Sequence, residues 1–308
     1  MDLVNDFRKG SAQTLINMGY NYSSIENAPS ELFNVYNMLI SQTPRKVVYS
    51  KEFSYPLKYE VALDEFVAKV ENGEDLMPFL SEKVHQSTNK DGLLNDWGIH
   101  HFHLTKRFRS DGIAQRSQYQ IFAYVTEETF YMIQVYPHNK DLLYCQQEMI
   151  EILHKNWANV IEKYKLQGAT NVRPKMTDEM FANARKTGCY TFIQVEDVVY
   201  SPIGGGLASD SSSVQVGRQC SYWHNTLKDC EIALVSNMGF LIQDFKSILF
   251  NAVNYNFVIR FRRALNNTIH LFEEVNGVEI IFNDINSDKC NMYCRITVDA
   301  VNSAFISK

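Results

Sequence analysis

The chain has 308 residues, with 30 Lys and Arg against 35 Asp and Glu, a formal net charge of -5, and 45% hydrophobic and 13% aromatic residues. That length and apolar content suffice for two cores, and the mild acidity gives no global pull toward nucleic acid or an anionic membrane, although a local basic patch fits inside an acidic total. Cys145, Cys189, Cys220, Cys230, Cys290 and Cys294 form no CxxC pair, which excludes a zinc ribbon and a redox motif and points to reduced, packed thiols.

No apolar run reaches the roughly 18 residues of a membrane span, and Asp2, Asn5, Asp6 and Arg8 stand where a secretion signal is apolar, so no membrane contact and a cytoplasmic location are expected. Residues 3–18 and 31–41 read as helices, the second with Leu32, Val35, Tyr36 and Leu39 at helical spacing. They make a helical N-terminal segment, 1–44, ended by Thr43-Pro44. Residues 46–50 are β-prone. Leu63, Phe66, Val67 and Val70 then fall at i, i+3, i+4 and i+7, and with Leu76, Phe79 and Leu80 they predict a helical hairpin over 57–84.

A polar loop is expected over 85–95, followed by strands at 97–104, 119–125 and 129–136; the last two are close enough for a hairpin turn at Thr126-Glu127-Glu128. An amphipathic helix over 141–165 must cover a sheet or a partner. The apolar period stops near Gln167-Gly168-Ala169, which suggests domains 45–167 and 168–308. The latter reads as a helix over 178–186, short strands at 190–195 and 198–200, a Gly/Ser stretch at 204–213, a helix over 239–253 and a β-rich end with strands at 257–262, 268–274, 278–283 and 292–298. The fold class is α+β.

One segment is chemically unusual: Ile99-His100-His101-Phe102-His103-Leu104. Side chains alternate on a strand, so His101 and His103 share a face while His100 points the other way, as a structural residue. Such a pair suits hydrogen-bonded structural histidines, an acid–base or phosphate-binding site, or two ligands of a metal. His138, just beyond the strand at 129–136, is the candidate third group. Lys106, Arg107, Arg109 and Arg116, in or beside the adjoining connection, are the candidate phosphate ligands.

Strand 46–50, a helical hairpin and three antiparallel strands, with Trp97-Gly98-Ile99 leading in and Arg116 preceding Phe122-Ala123-Tyr124-Val125, resemble the RelE/ParE-type toxin fold over residues 45 to about 140. The resemblance implies a domain whose ribonuclease members cut messenger RNA without metal, using basic residues and a histidine or tyrosine on the sheet face. By position Arg116 matches the basic residue opening the central hairpin strand, and His138 the end of the last strand. The expectation is therefore a metal-independent ribonuclease-like effector of toxin or phage-defence type. Its catalytic set is His101, His103 and His138, with RNA as partner and no cofactor. The alternative is a non-enzymatic interaction protein that uses the sheet as scaffold and the C-terminal domain as partner site.

Gly204-Gly205-Gly206 lacks the lysine and spacing of a phosphate loop and reads as a turn. Cys290 and Cys294 would share a face only on a helix, whereas their segment reads as strand.

Overall fold

The computed structural model describes residues 1–249, 252–265, 267–283, 285 and 291–296. The fold is mixed α+β. In chain order the elements are α1 (Leu3–Asn17), α2 (Ala28–Met38), β1 (Lys46–Tyr49), α3 (Glu60–Asn72), α4 (Gly92–Trp97), β2 (Ile99–His103), β3 (Tyr119–Val125), β4 (Thr129–Pro137), α5 (Glu148–Ile161), α6 (Asp178–Lys186), β5 (Ile193–Val195), β6 (Val198–Tyr200), α7 (Val214–Ser236), α8 (Met238–Ile248), β7 (Ile259–Leu265), β8 (Thr268–Glu273), β9 (Val278–Asn283) and β10 (Asn291–Ile296). Among the described residues no helix is long and apolar enough to cross a membrane.

The chain forms two compact units, 34–217 and 1–33 with 218–308. The break anticipated near Gln167 lies inside the first of these. Leu166 N–H donates to Val199 O, Ser201 N–H donates to Tyr164 O, and Phe181 and Ile193 share one core with α5, so the chain on either side of the break is knit together.

The central unit, 34–217, is built on a four-stranded sheet of order β1-β4-β3-β2, in which β1 runs parallel to β4 and the other neighbours are antiparallel. Alternation sends Phe102, Ile121, Phe130 and Met132 to one face, where Leu63, Phe66 and Val70 of α3 cover them. Ile99, Phe122 and Ile133 face the other way, against Met149, Ile150 and Leu153 of α5, Phe181 of α6 and Trp97 of α4. Each such fully buried side chain contributes roughly 1.5–3 kcal/mol of transfer free energy.

The register slips once, between Phe122 and Ala123, where Ile133 of β4 is the extra residue. Its carbonyl accepts from Ser50 Oγ at 2.7 Å. Side-chain period is two, so this bulge decides which face the end of β4 presents. It sets Tyr136 and Pro137 opposite Gln120 and Tyr119.

Several local expectations change. The second arm of the hairpin at 57–84 is not a helix but two 3-10 turns, Met77–Phe79 and Glu82–His85, because Pro78 sits inside the short apolar run and Leu80 is extended. The loop at 85–95 ends in α4, so Trp97 closes a helix rather than opening a strand; Asp91 caps that helix and Gly98 ends it in a left-handed conformation. The helix at 141–165 is shorter, Glu148–Ile161, and loses helical geometry at Trp157, whose ring packs on Tyr131. The 23-residue α7 was not anticipated at all.

Gly204 explains the glycine stretch. A Cβ there would meet Leu94 O at 2.1 Å and Gly98 N at 2.6 Å, so only glycine lets this loop lie against the end of α4. Gly204 N–H donates to Asp96 O and Gly206 N–H to Asn95 O, both at 2.9 Å, so these groups serve α4 and not an anion.

The second unit has an antiparallel sheet of order β10-β9-β8-β7. Phe7 of α1 meets Phe261 of β7 edge to face, and Leu241 and Phe245 of α8 are buried. Cys294 sits on β10, as the strand reading requires; Cys290 lies outside the described residues.

Candidate functional site

The end of the central sheet carries the histidines. On β2, His101 pairs with Phe122 and His103 with Gln120, which puts both imidazoles on the face that α4 and the turn Leu143–Cys145 border. His138 follows β4, and its backbone N–H donates to Gln118 O at 2.7 Å, which extends the β3–β4 ladder and sets His138 beside the segment carrying Arg116. A cleft of about 730 Å³ opens there, lined by His101, His103, His138, Arg109, Arg116, Gln120, Tyr144 and Arg185 among others.

His103 and His138 lie with rings nearly parallel, 11° apart in plane and 6.2 Å between centroids. His103 is buried. Burial first, then the charges of His101, His138 and Arg116, push its imidazole down from 6.5 to about 4, so it is neutral at pH 7. Ser117 serves either neutral tautomer of His103. Its hydroxyl donates to Tyr119 O and so offers Oγ as acceptor for an Nδ1–H at 3.3 Å, while its backbone N–H points at the same Nδ1 at 3.4 Å. With Nδ1–H on Ser117 Oγ, Nε2 is a bare base.

His138 is fixed differently. Arg116 Nη2, which can only donate, lies 3.3 Å from His138 Nδ1, so the neutral ring carries its proton on Nε2. Among the described residues Arg116 pairs with no carboxylate, and it is exposed.

His101 packs against Phe122 and Tyr144 and keeps a buried Nδ1 that makes no hydrogen bond. Asp91 Oδ2 lies 3.7 Å from that nitrogen, and Asp91 Oδ1 accepts from the N–H groups of Leu93 and Leu94. The carboxylate thus belongs half to the cap of α4 and half to the histidine, for which it supplies a counter-charge.

The compared proteins give no further guide. The chain matches no known family model, no curated protein and no solved structure. What the site can do rests on its geometry.

Of the anticipated cations, Arg116 meets the histidines and stays unpaired. Arg109 lines the cleft but is held by Glu82 at 2.6 Å and Asp111 at 2.8 Å. Lys106 pairs with Glu65 at 2.8 Å and, like Arg107, does not line the cleft. The short bridge between Phe108 and Ala114 folds this connection back on itself, which separates its charges.

Four contributors were not anticipated. Asp91 could have been found, since an Asp before Gly92-Leu93-Leu94 is an N-cap signal. Ser117 and Tyr144 carry no sequence signal. Arg185 of α6 is the fourth: Nε donates to Asp96 Oδ2 at 2.8 Å, Nη1 to Tyr144 O, and the guanidinium lies 4.2 Å over the Trp97 ring. It ties α4, α6 and the Tyr144 turn into one wall. Cys145 is part of that wall too, but burial raises its thiol, so it is no nucleophile. Among the described residues no three His, Cys, Asp or Glu side chains are grouped to hold a metal ion.

Proposed function

We infer that the central unit is a metal-independent ribonuclease of effector type, acting in a toxin or phage-defence setting. The observation that carries this reading is the meeting of His101, His103 and His138 with an unpaired Arg116 in one open cleft. Arg116 and the histidine N–H groups converge on one point of the cleft, where a phosphodiester would accept their hydrogen bonds and offset their mutual repulsion.

Arg116 and His138 Nε2–H hold the phosphoryl oxygens. The neutral His103 takes the proton of the ribose 2′-hydroxyl, O2′ attacks phosphorus, and the P–O5′ bond breaks. His101, whose Nδ1 faces Asp91, is the proton donor to the leaving O5′. The products are a 2′,3′-cyclic phosphate and a 5′-hydroxyl. The sequence resemblance to RelE/ParE-type toxins, whose ribonuclease members use no metal, motivates the reading; the order β1, α3, then β2 to β4 agrees with it, whereas two 3-10 turns and α4 stand where a second long helix was expected.

The test is cleavage of RNA by the purified protein in EDTA, with the ends identified. Cyclic phosphate ends are expected, with a loss of about 10²–10⁴-fold in rate for a His101→Ala/His103→Ala variant. Undiminished cleavage in that variant would sink the assignment, and cleavage that needs zinc or manganese would replace it with metal catalysis.

A further inference from the structure

Arg116 and His138 line two cavities, not one. Beside the cleft of about 730 Å³ lies a second, shallower hollow of about 560 Å³, and these two residues stand in the wall common to both. On its other side the hollow is lined by Gln118, Tyr119 and Asn139.

Resting on the reading above, we propose that the hollow is a second nucleotide subsite, so that the substrate is single-stranded RNA spanning both cavities with the scissile phosphate on Arg116 and His138. The hollow has what a nucleotide needs. The half-buried Tyr119 ring supplies an aromatic surface in the lining, and Tyr59 packs against it, tilted, with ring centroids 5.3 Å apart. Gln118 Oε1 already accepts from Lys58 Nζ at 3.2 Å and Tyr59 Oη at 3.3 Å, which orients the side chain and leaves its amide N–H groups to donate to a base. Lys58 adds a cation on the same side.

Single-strandedness follows from the layout. Tyr119 and Gln120 are successive residues of β3, so their side chains lie on opposite faces of the sheet. The inner cleft is on the Gln120 face and the hollow reaches Tyr119 round the sheet end. Two bases turned to opposite sides of one wall cannot both be paired in a duplex.

The experiment compares two probes by calorimetry: a nucleoside 3′-phosphate, which fills one cavity, and a dinucleotide with a 2′-O-methyl group at the scissile position, which cannot be cut. The dinucleotide is expected to bind roughly tenfold or more tightly. Tyr119→Leu, which keeps apolar bulk, removes that advantage, and Tyr119→Phe, which keeps the ring, retains it; thermal unfolding of both variants checks that the fold survives. Equal binding of the two probes, or an advantage that persists in Tyr119→Leu, overturns the subsite and leaves the proposed function standing. Binding of neither probe overturns both.

Discussion

The imidazoles of His103 and His138, one on β2 and the other just beyond β4, lie parallel with centroids 6.2 Å apart, and both stand within reach of the unpaired Arg116. Protons and anions should therefore bind together. His103 sits at about 4 because of burial and because its charged form would join other cations, and a bound phosphate offsets the second cause. Inorganic phosphate or a nucleoside 3′-phosphate is expected to raise the His103 titration by about one unit or more, a linkage that strengthens binding by about threefold or more near pH 4.5 relative to pH 7. NMR titration of the imidazole Cε1–H signals with and without ligand measures this; an unmoved His103 midpoint would mean that the anion does not sit beside it.

The same residue gives the folded protein an acid-sensitive window. Unfolded His103 takes its proton near 6.5 and folded His103 only near 4, so between those values the unfolded chain binds more protons and stability falls as the pH drops. Above 6.5 the contribution is complete. His103→Gln should flatten the urea-unfolding stability curve across this window by about 2 kcal/mol, a figure already reduced for partial solvent screening. Parallel wild-type and variant curves from pH 7 to pH 4.5 would contradict the burial of this ring.

Arg116 predicts a salt effect. An exposed guanidinium without a carboxylate partner that contacts a backbone phosphate releases about one counterion on binding. Arg116→Gln is expected to weaken binding of uncleavable RNA uniformly across sequences and to lower the slope of log affinity against log salt by about one. Arg107→Gln, outside the cleft, serves as the contrast and should leave the slope unchanged. A slope unaltered in Arg116→Gln would remove this residue from the phosphate site.

The histidine pair was legible because a period of two needs only a strand, and Ile99, Phe102 and Leu104 mark one clearly. His138 and Arg116 were legible as neighbours because both flank strands that pair in a hairpin. What joins them to a catalytic arrangement was not. Asp91 was readable as a helix cap, but its approach to His101 is a tertiary contact that no local signal reports. Arg185 lies on the correctly bounded α6, but its partner Asp96 is 89 positions earlier in the chain, and no local period reports such a contact. α7 escaped for a different reason. Val216, Cys220, Trp223, Leu227, Cys230 and Leu234 do recur at three- and four-residue spacing and Ser213 stands before its first turn, but the Gly/Ser stretch leading in, Gly217 and the many polar residues between the apolar ones obscured both signals.

That long-range pair carries the last prediction. Asp96 and Arg185 are both buried, at 2% and 8% side-chain exposure, and meet at 2.8 Å. Arg185→Met preserves much of the bulk over Trp97 but leaves the Asp96 carboxylate buried without a cation, and breaking such a pair costs roughly 3–5 kcal/mol. It also frees the Tyr144 carbonyl from Nη1, so the ring against His101 loses its support. The double variant Asp96→Asn/Arg185→Met has no orphaned charge and should recover most of the stability in urea unfolding. It should not recover RNA cleavage, because the Tyr144 turn remains untied. Recovery of both would reduce Arg185 to a stabilising residue with no part in shaping the cleft.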